Sequence, residues 1–236
     1  MSELRPGTLS SAANTQYTPI FIVGVGGTGS RLAEALVRIG FGTHKNPLIL
    51  IDGDTFEKHN VSNQLVDSDD VGNYKVSVVA NHLRFIRPTV QIIECPWFIR
   101  VGVPESVPLF GGIVILALDN METRALLVEH YLENNSTVEC VIDPRLDSGV
   151  GVSYCFDPNN QQHQECWWTY WHPDSEAENI AGCGGTRPVV GSIFGTAALA
   201  LKQLEHYFTY STAHQIPNRV YCDFDRFTMS QEVWPT

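Results

Sequence analysis

Three short clusters in the sequence combine residue types that can hold a phosphorylated ligand. The first is the glycine-rich stretch 24–29, the second contains Asp52 and Asp54, and the third is Asp119-Asn120. Glycines let backbone N–H groups approach an anion, and a helix that begins there adds the positive end of its dipole. A carboxylate at a strand end can accept hydrogen bonds from ribose hydroxyls. Together the clusters indicate a nucleotide site, and the alternative is a tight strand-to-helix turn that binds nothing.

The residues around the second cluster distinguish between two kinds of nucleotide chemistry. Asp52 fits an NAD-dependent dehydrogenase as well as an ATP-using enzyme. A second acid at Asp54, an amide at Asn60 and a lysine at Lys75 are not what an NAD site needs. Asp119 would repel a triphosphate unless a cation intervenes, so it suggests Mg²⁺, and a lysine stabilises charge on a leaving pyrophosphate. These residues favour attack on an α-phosphate over hydride transfer.

The hydrophobic pattern predicts the elements that position these clusters. Apolar runs predict strands at 19–25, 47–54, 89–95, 111–120, 138–144, 149–157 and 219–229. Helical spacing predicts helices at 29–41, 74–86, 121–134 and 188–208, with long loops at 55–75 and 157–187. This alternation predicts a doubly wound, mostly parallel α/β sheet of the Rossmann type. Ligands bind beyond the carboxyl ends of such strands, where all three clusters fall.

The bulk composition is that of a globular protein with an acidic surface. We expect a flexible arm at 1–18 and one domain at 19–236, because 43% of the 236 residues are hydrophobic and 17% are charged. The 15 basic and 26 acidic residues give a net charge of −11, which disfavours a nucleic-acid partner. The absence of a long apolar run or signal-peptide core predicts a cytoplasmic protein without a membrane partner.

The six cysteines do not form a CxxC pair. We therefore expect free thiols, mostly buried, and no structural zinc. Two tryptophans follow Cys166, and they are expected to fill by burial the space that a metal would otherwise hold. The flanking His163 and His172 are expected to be ordinary loop histidines.

Five ordered motifs give the chain a family resemblance. They are GVGGTGSR, LIDGDTFEKHNVSNQ, VGNYK, ALDNMETR and CGGTRPVVGSIFGTAALALKQLE, spread over roughly residues 19 to 226. In order and spacing they resemble the ThiF/MoeB/HesA superfamily, which includes the adenylation domains of ubiquitin-activating enzymes. The GGTGS form, with Thr28 and Ser30, is similar to stand-alone bacterial ThiF-like proteins such as the PRTRC type.

The resemblance implies a reaction and a set of site residues. The C-terminal carboxylate of a small β-grasp, ubiquitin-like protein or peptide would attack the α-phosphate of ATP in the presence of Mg²⁺. The products would be an acyl-adenylate and pyrophosphate, and the protein would be a homodimer. The implied catalytic residues are Asn60, Lys75, Asp119, which also carries the metal, and Cys183. The implied and candidate nucleotide contacts are Gly24, Gly26, Gly27, Gly29, Arg31, Asp52, Asp54, Asn63, Gln64 and Asn120.

Several positions depart from the family pattern or leave its chemistry open. Cys183 matches a cysteine that in ThiF-like members can take part in sulfur transfer or covalent linkage, but it also fits a flexible Gly-Cys-Gly-Gly loop. The family's phosphate-directed arginine is Asn63 here, which removes a charge-assisted contact worth ~1.5–3 kcal/mol. Arg31 and Arg124 are candidates to replace that charge, although helical arginines are more often solvated. The amino-terminal arm is short and lacks the pattern by which relatives supply an arginine to a partner subunit, and Arg5 is the only basic residue before the first strand.

Three alternative functions remain beside the adenylyltransferase. A non-catalytic nucleotide-binding or scaffold relative that needs a partner subunit is favoured by Asn63 and the short arm. An NAD-dependent dehydrogenase is disfavoured by Lys75 and Asp119. A tRNA-modifying relative that adenylates a small carboxylate is disfavoured by the net charge of −11.

Overall fold

The described residues share one eight-stranded sheet. The computed structural model describes residues 17–99, 110–147, 149–174, 190–209 and 216–235. Within these ranges the strands lie in the order β3-β2-β1-β4-β5-β6-β7-β8. The first five in this order are parallel, and β6, β7 and β8 pair antiparallel. The predicted mostly parallel α/β fold is confirmed.

The strands of the parallel part are short and almost wholly apolar. They are β1 (Ile20–Val23), β2 (Leu48–Ile51), β3 (Ile92–Cys95), β4 (Gly112–Leu116) and the longer β5 (Val138–Asp147). The antiparallel part contains β6 (Val150–Phe156), β7 (Arg219–Asp223) and β8 (Thr228–Glu232). Every residue of β1, β2 and β4 is buried, because helices cover both faces of this part of the sheet.

Within the described residues, five α-helices pack on the two faces of the sheet. They are α1 (Gly27–Arg38), α2 (Lys75–Ile86), α3 (Met121–Leu127), α4 (Gln161–Thr169) and α5 (Val190–Thr209), and one π-helical turn, Val128–Leu132, continues α3. Residues of α1, α2 and α5 form one apolar core with the sheet. Residues of α3 and α4 form a second core on the opposite face, with Trp167 at its centre. No helix of the described residues is long and apolar enough to cross a membrane.

The structure corrects two of the predicted elements. The long loop expected at 157–187 contains a helix, α4, whose first turn is capped by Asn160 Oδ1 accepting from the backbone N–H groups of Gln162 (2.9 Å) and His163 (3.2 Å). The single strand expected at 219–229 is a hairpin of β7 and β8. Its turn is held by Asp223 Oδ1, which accepts from the N–H groups of Asp225 (3.1 Å) and Arg226 (2.9 Å).

The aromatic residues of α4 fill space, as expected. Trp167 is fully buried, and its Nε1 donates to Asp143 Oδ2 at 3.0 Å. His163 lies on this helix rather than in a loop, and its Nδ1 accepts from the N–H of Asp157 at 3.2 Å. The five described cysteines are all free thiols, and Cys183 lies outside the described residues.

Candidate active site

A cleft of about 1090 Å³ opens at the carboxyl ends of β1, β2, β4 and β5. It lies where the strand order reverses, since β1 pairs with β2 on one side and with β4 on the other. Such a switch point is where open α/β sheets bind ligands. The candidate residues that line it are Gly24, Gly26, Gly27, Asp52, Asp54, Asn60, Gln64, Lys75, Asp119 and Asn120. Gly29, Arg31 and Asn63 do not line it, and Cys183 lies outside the described residues.

The glycines of the β1–α1 turn differ in how much space a side chain would have at each position. Gly24 has φ +90°, and a Cβ there would lie 2.4 Å from the Ala117 carbonyl oxygen. A Cβ on Gly29 would lie 2.0 Å from the Gly24 carbonyl oxygen. A Cβ on Gly26 would meet only the Gln64 amide, at 3.9 Å. Gly24 and Gly29 are therefore required by packing, whereas Gly26 leaves free space on the cleft side.

The amino-terminus of α1 is suited to an anion. Gly26 caps this helix without a side-chain hydrogen bond, and no acidic residue lies in its first turn. The first N–H groups of a helix have no partner within the helix, and they carry the positive end of its dipole. Because Gly26, Gly27 and Thr28 line the cleft, this end of α1 faces the cleft and can receive an anionic ligand there.

Asp52 links the glycine turn to β2. Its Oδ2 accepts from the Val25 N–H at 2.7 Å, and its Oδ1 accepts from the Asp54 N–H at 2.9 Å. Burial raises the pKa of the Asp52 carboxyl, although these two N–H groups and Lys75 act in the opposite direction. A carboxylate can accept about four hydrogen bonds, so the Asp52 oxygens retain capacity for ribose hydroxyls.

Lys75 begins α2 and is held at the cleft by Asp54. Its Nζ lies 2.9 Å from Asp54 Oδ2, and its backbone N–H donates to the Asp54 carbonyl oxygen at 3.0 Å. The lysine side chain is only 12% exposed, whereas that of Asp54 is 52% exposed. The ammonium is therefore fixed at the cleft wall rather than free in solvent.

The loop after β2 contributes two amides with different environments. Asn60 is buried, and its Oδ1 accepts from the Glu57 N–H at 2.9 Å. Gln64 Oε1 is buried and has no hydrogen-bond partner among the described residues. A buried amide without a partner carries a free-energy penalty that a polar ligand can remove. Asn63 is buried against α1, where its carbonyl oxygen is 3.3 Å from the Cβ position of Gly27.

The third cluster lies beyond β4. Asn120 caps α3, since its Oδ1 accepts from the N–H (2.7 Å) and hydroxyl (2.8 Å) of Thr123. Asp119 is exposed to the cleft. No group of three or more His, Cys, Asp or Glu side chains in the described part of the chain is arranged to hold a metal ion. A single carboxylate suits Mg²⁺, which commonly combines one or two protein carboxylates with substrate phosphates and water.

The two arginine candidates are placed differently from one another. Arg31 lies over the ring of Phe194, with Cζ 4.7 Å from its centroid, and it pairs with Glu34 at 3.6 Å. Arg124 is buried rather than solvated, and it forms an ion pair with Asp143. It also donates to the carbonyl oxygens of Leu116 and Pro144, both at 3.1 Å, and of Leu118.

The cleft includes residues that the sequence did not single out. They are Trp97, Phe98, Arg145, Tyr154, Tyr170 and Asp174, among others, and His172, which was expected to be an ordinary loop histidine, also lines the cleft. Phe98 is 55% exposed and packs against Gly53, where a Cβ would lie 2.6 Å from its ring. The feature of the sequence that could have indicated Phe98 is the aromatic pair Trp97-Phe98, which follows the end of β3 after one proline. Arg145 had no local signal, because it lies inside a strand that was expected to end at Pro144.

The order of strands and the contents of the cleft define a doubly wound α/β domain with a ligand site at its switch point. A model of the ThiF family matches residues 11–233. The chain belongs to the ThiF family.

Individual relatives match over part of their length. Ubiquitin-like modifier-activating enzyme 5 of Aedes aegypti is 31% identical over 52% of this chain and 33% of its own. The tRNA threonylcarbamoyladenosine dehydratase of Haemophilus influenzae is 34% identical over 56% of this chain and 49% of its own. The chain thus spans half or less of these relatives.

A solved structure shares the fold. Escherichia coli MccB, crystallised with ATP, superposes with a TM-score of 0.71 at 18% identity. The match covers 94% of this chain and 65% of MccB.

Proposed function

We propose that this protein binds ATP with Mg²⁺ and adenylates the C-terminal carboxylate of a small ubiquitin-like protein or peptide. The observation that carries the proposal is that Lys75 and Asp119 line the same cleft as the amino-terminus of α1, where no side chain caps the first N–H groups. A hydride-transfer site has no use for this lysine and carboxylate. An MccB structure with N-formylated MccA and an activating enzyme for a ubiquitin-like modifier among the relatives support a protein or peptide substrate.

The residues of the cleft have separate roles in this proposal. Asp52 accepts from the ribose hydroxyls, and the N–H groups at the start of α1 bind the phosphates. The Gln64 amide, which lacks a partner, and the Asn60 amide add polar contacts there. Asp119 would hold Mg²⁺, and the ion would supply positive charge to offset that of the phosphates. Asp54 lines the nucleotide side of the cleft and positions Lys75, and Asn120 lines the cleft and positions the start of α3.

The chemical step is a displacement at the α-phosphorus. An oxygen of the substrate carboxylate forms a bond to the α-phosphorus, and the bond from that phosphorus to the bridging oxygen of pyrophosphate breaks. The electron pair of the broken bond leaves with pyrophosphate, and the Lys75 ammonium stabilises the charge that develops there. No base is needed to remove a proton from the nucleophile, because the carboxylate is already ionised at neutral pH.

The experiment is ATP–pyrophosphate exchange with purified protein, Mg²⁺ and a β-grasp protein that has a free C-terminus. Exchange that requires the β-grasp protein and is lost in Asp119→Ala would support adenylation. Cys183→Ala would retain exchange if the proposed covalent or sulfur-transfer step follows adenylation. Magnesium-dependent ATP binding by calorimetry without exchange would contradict catalysis by this chain alone.

One observation favours the second candidate, a non-catalytic nucleotide-binding relative. Asn63 is buried beside α1 and does not line the cleft, so no cationic side chain reaches the cleft from this position. A homodimer would allow a partner to supply the missing charge, and sedimentation with and without ATP tests this. A tRNA substrate is disfavoured by the net charge of −11 despite the dehydratase relative.

A further inference from the structure

Two guanidinium groups share one carboxylate beneath the cleft. We name Arg124, Asp143 and Arg145 the Asp143 cluster. Asp143 is fully buried and pairs with Arg124 through Oδ1 and with Arg145 through Oδ2, the latter at 2.8 Å from Nη2. Within the cluster itself, two cations against one anion leave one positive charge in excess, and the exposed Asp119 carboxylate also interacts with Arg124. A buried, unbalanced charge is unfavourable unless a further anion offsets it, so the cluster is suited to an anionic ligand.

The two arginines of the Asp143 cluster differ in how many of their N–H groups already have an acceptor. Arg124 already donates to three main-chain carbonyl oxygens as well as to Asp143. Arg145 uses only Nε, which donates to Asp143 at 2.9 Å, and Nη1, which donates to the Tyr170 carbonyl oxygen at 2.7 Å. Its Nη2 is buried and lies 2.8 Å from Asp143 Oδ2, so it belongs to the ion pair although it makes no well-aligned hydrogen bond with a described residue. Since a guanidinium has five N–H groups, Arg145 retains donors for an incoming acceptor.

Arg145 is also held in place. Its Cζ lies 4.4 Å from the centroid of the Tyr154 ring and 5.2 Å from that of Trp167. Only 13% of its side chain is exposed. A guanidinium stacked on aromatic rings and tied to a carboxylate keeps its orientation, which reduces the entropy lost when it binds a ligand.

The order of the strands shows on which side of the cleft Arg145 lies. The order β2-β1-β4-β5 carries, at successive carboxyl ends, Asp52, the glycine turn, Asp119 and Arg145. Ribose and phosphates would therefore occupy the β2 and β1 side. Arg145 lies beyond Asp119, on the side opposite the ribose, where a group attacking the α-phosphate must approach.

A carboxylate needs a cation on that side. The cleft-lining residues that the structure describes include six acids (Asp52, Asp54, Glu57, Asp119, Asp147 and Asp174). The lysine and the two arginines in that lining are Lys75, Arg124 and Arg145. Lys75 is paired with Asp54 on the nucleotide side, and Arg124 is occupied by carbonyl groups. Arg145 is also paired, with Asp143, but it lies on the other side of the cleft and keeps N–H donors, so it is the cation placed to offset the charge of a second anionic substrate.

We infer that Arg145 binds the carboxylate oxygen of the acyl substrate and, after adenylation, the acyl carbonyl oxygen. This inference rests on the proposed adenylation, and it assigns the substrate-selecting contact to a residue outside the ATP-binding motifs. A free carboxylate is thereby distinguished from an amide-capped terminus, because only the carboxylate offsets the excess charge of the Asp143 cluster.

The test separates acyl recognition from nucleotide recognition. The probes are MgATP, 5′-O-sulfamoyladenosine and its N-acetylglycyl derivative, which imitates the adenylate of a C-terminal residue. In the wild-type protein the acetylglycyl group should improve the dissociation constant about tenfold over sulfamoyladenosine. Arg145→Gln should lose that improvement, Arg145→Lys should retain part of it, and both should bind MgATP within twofold of wild type.

Arg219→Gln is the control variant for this test. Arg219→Gln removes an arginine that also pairs with a carboxylate (2.5 Å to Glu232) and stacks on a tyrosine (4.7 Å to Tyr170), but it does not line the cleft. This variant should keep the acyl improvement. The inference would be overturned if the acetylglycyl group improved binding equally in wild type and Arg145→Gln, or in neither of them. Either result would leave the proposed ATP binding intact. Failure of wild type to bind any of the three nucleotides would overturn the proposed function as well.

Discussion

Lys75 Nζ and Asp54 Oδ2 lie 2.9 Å apart, and the same two residues are joined through their backbones at 3.0 Å. This double link fixes the start of α2 against the loop that follows β2. It also means that the ammonium has a carboxylate partner before any phosphate arrives. A bound triphosphate must compete with Asp54 for the lysine.

Replacing Lys75 should reduce turnover more than ATP binding. In Lys75→Ala the charge on the leaving pyrophosphate loses its stabilising cation, so the exchange rate should fall by about 10²-fold or more. The dissociation constant for MgATP should change by less than the rate, and calorimetry measures it. Lys202→Ala, which removes a 65% exposed lysine paired with Glu205, is the matched control and should retain full activity. An unchanged exchange rate in Lys75→Ala would contradict a role for this lysine.

Replacing Asp54 should act in the opposite direction on binding. In Asp54→Asn the lysine no longer has an ionised partner, and one negative charge leaves the phosphate side of the cleft. We therefore expect tighter ATP binding, by roughly two- to tenfold at low ionic strength. The gain should diminish as salt is added. Weaker binding would contradict this prediction. It would mean that holding Lys75 in place matters more for ATP binding than the competition between Asp54 and the phosphates.

Two glycines of the β1–α1 turn should fail in different ways. In Gly29→Ala the new Cβ would lie 2.0 Å from the Gly24 carbonyl oxygen, so the turn cannot form without displacement. We expect a loss of several kcal/mol of unfolding free energy, of about the size known for overpacked cores. In Gly26→Ala the Cβ projects into open space, so thermal stability should be nearly unchanged while ATP binding is lost. Differential scanning fluorimetry with and without ATP separates the two.

Phe98 should contribute to nucleotide binding. Its exposed ring packs against Gly53, next to the carboxylate proposed to hold the ribose. A base stacked on an aromatic ring gains ~1–3 kcal/mol. Phe98→Ala should therefore weaken ATP binding by about tenfold with little change in stability. Phe85→Ala is the control, because that ring is 88% exposed on α2 and does not line the cleft. Equal effects of the two substitutions would contradict a stacking role.

The Asp143 cluster should make stability depend on acid pH. Burial alone would raise the pKa of Asp143, but Arg145 and Arg124 hold it below its ordinary value. A depressed pKa in the folded state stabilises the fold above the unfolded-state pKa of about 4. This contribution is lost as the pH falls through the folded-state pKa.

Asp143→Asn removes this dependence. Urea unfolding between pH 5 and the acid limit should show a flatter pH profile for the variant than for wild type. At neutral pH the variant should be less stable by ~3–5 kcal/mol, because two buried guanidinium groups lose their carboxylate. Asp225→Asn, on the exposed hairpin turn, serves as the control. A variant profile parallel to that of wild type would contradict the lowered pKa of Asp143.

The parallel half of the fold was predictable because its strands are uniformly apolar runs. β1, β2 and β4 lie inside the segments expected from hydrophobicity alone, and α2 ends two residues before Pro88, near the predicted stop. The glycine turn, Asp52 and Asp119 line one cleft, as their places at strand ends indicated, and Lys75 joins them from the start of α2. Their functional roles stay predictions.

The antiparallel half was harder to predict for identifiable reasons. Asn160 supplies a helix cap that the polar surroundings concealed, so α4 was expected to be a loop. The turn between β7 and β8 contains Phe224 and Phe227, which hid the break in the apolar pattern. Arg145 joins Asp143, Arg124 and the carbonyl of Tyr170 across three elements. No local pattern encodes such a cluster.

The glycines of the β1–α1 turn are under different structural constraints, so they should change at different rates as related sequences diverge. Gly24 and Gly29 are held by the contact of the turn with Ala117 and with itself, so selection for folding alone preserves them. A lineage that lost its ligand would keep both and would still present a recognisable motif. Position 26 is under no such constraint and would drift to residues with side chains. Among homologues, a glycine at position 26 is therefore the marker that separates proteins that retain the ligand from those that retain only the fold.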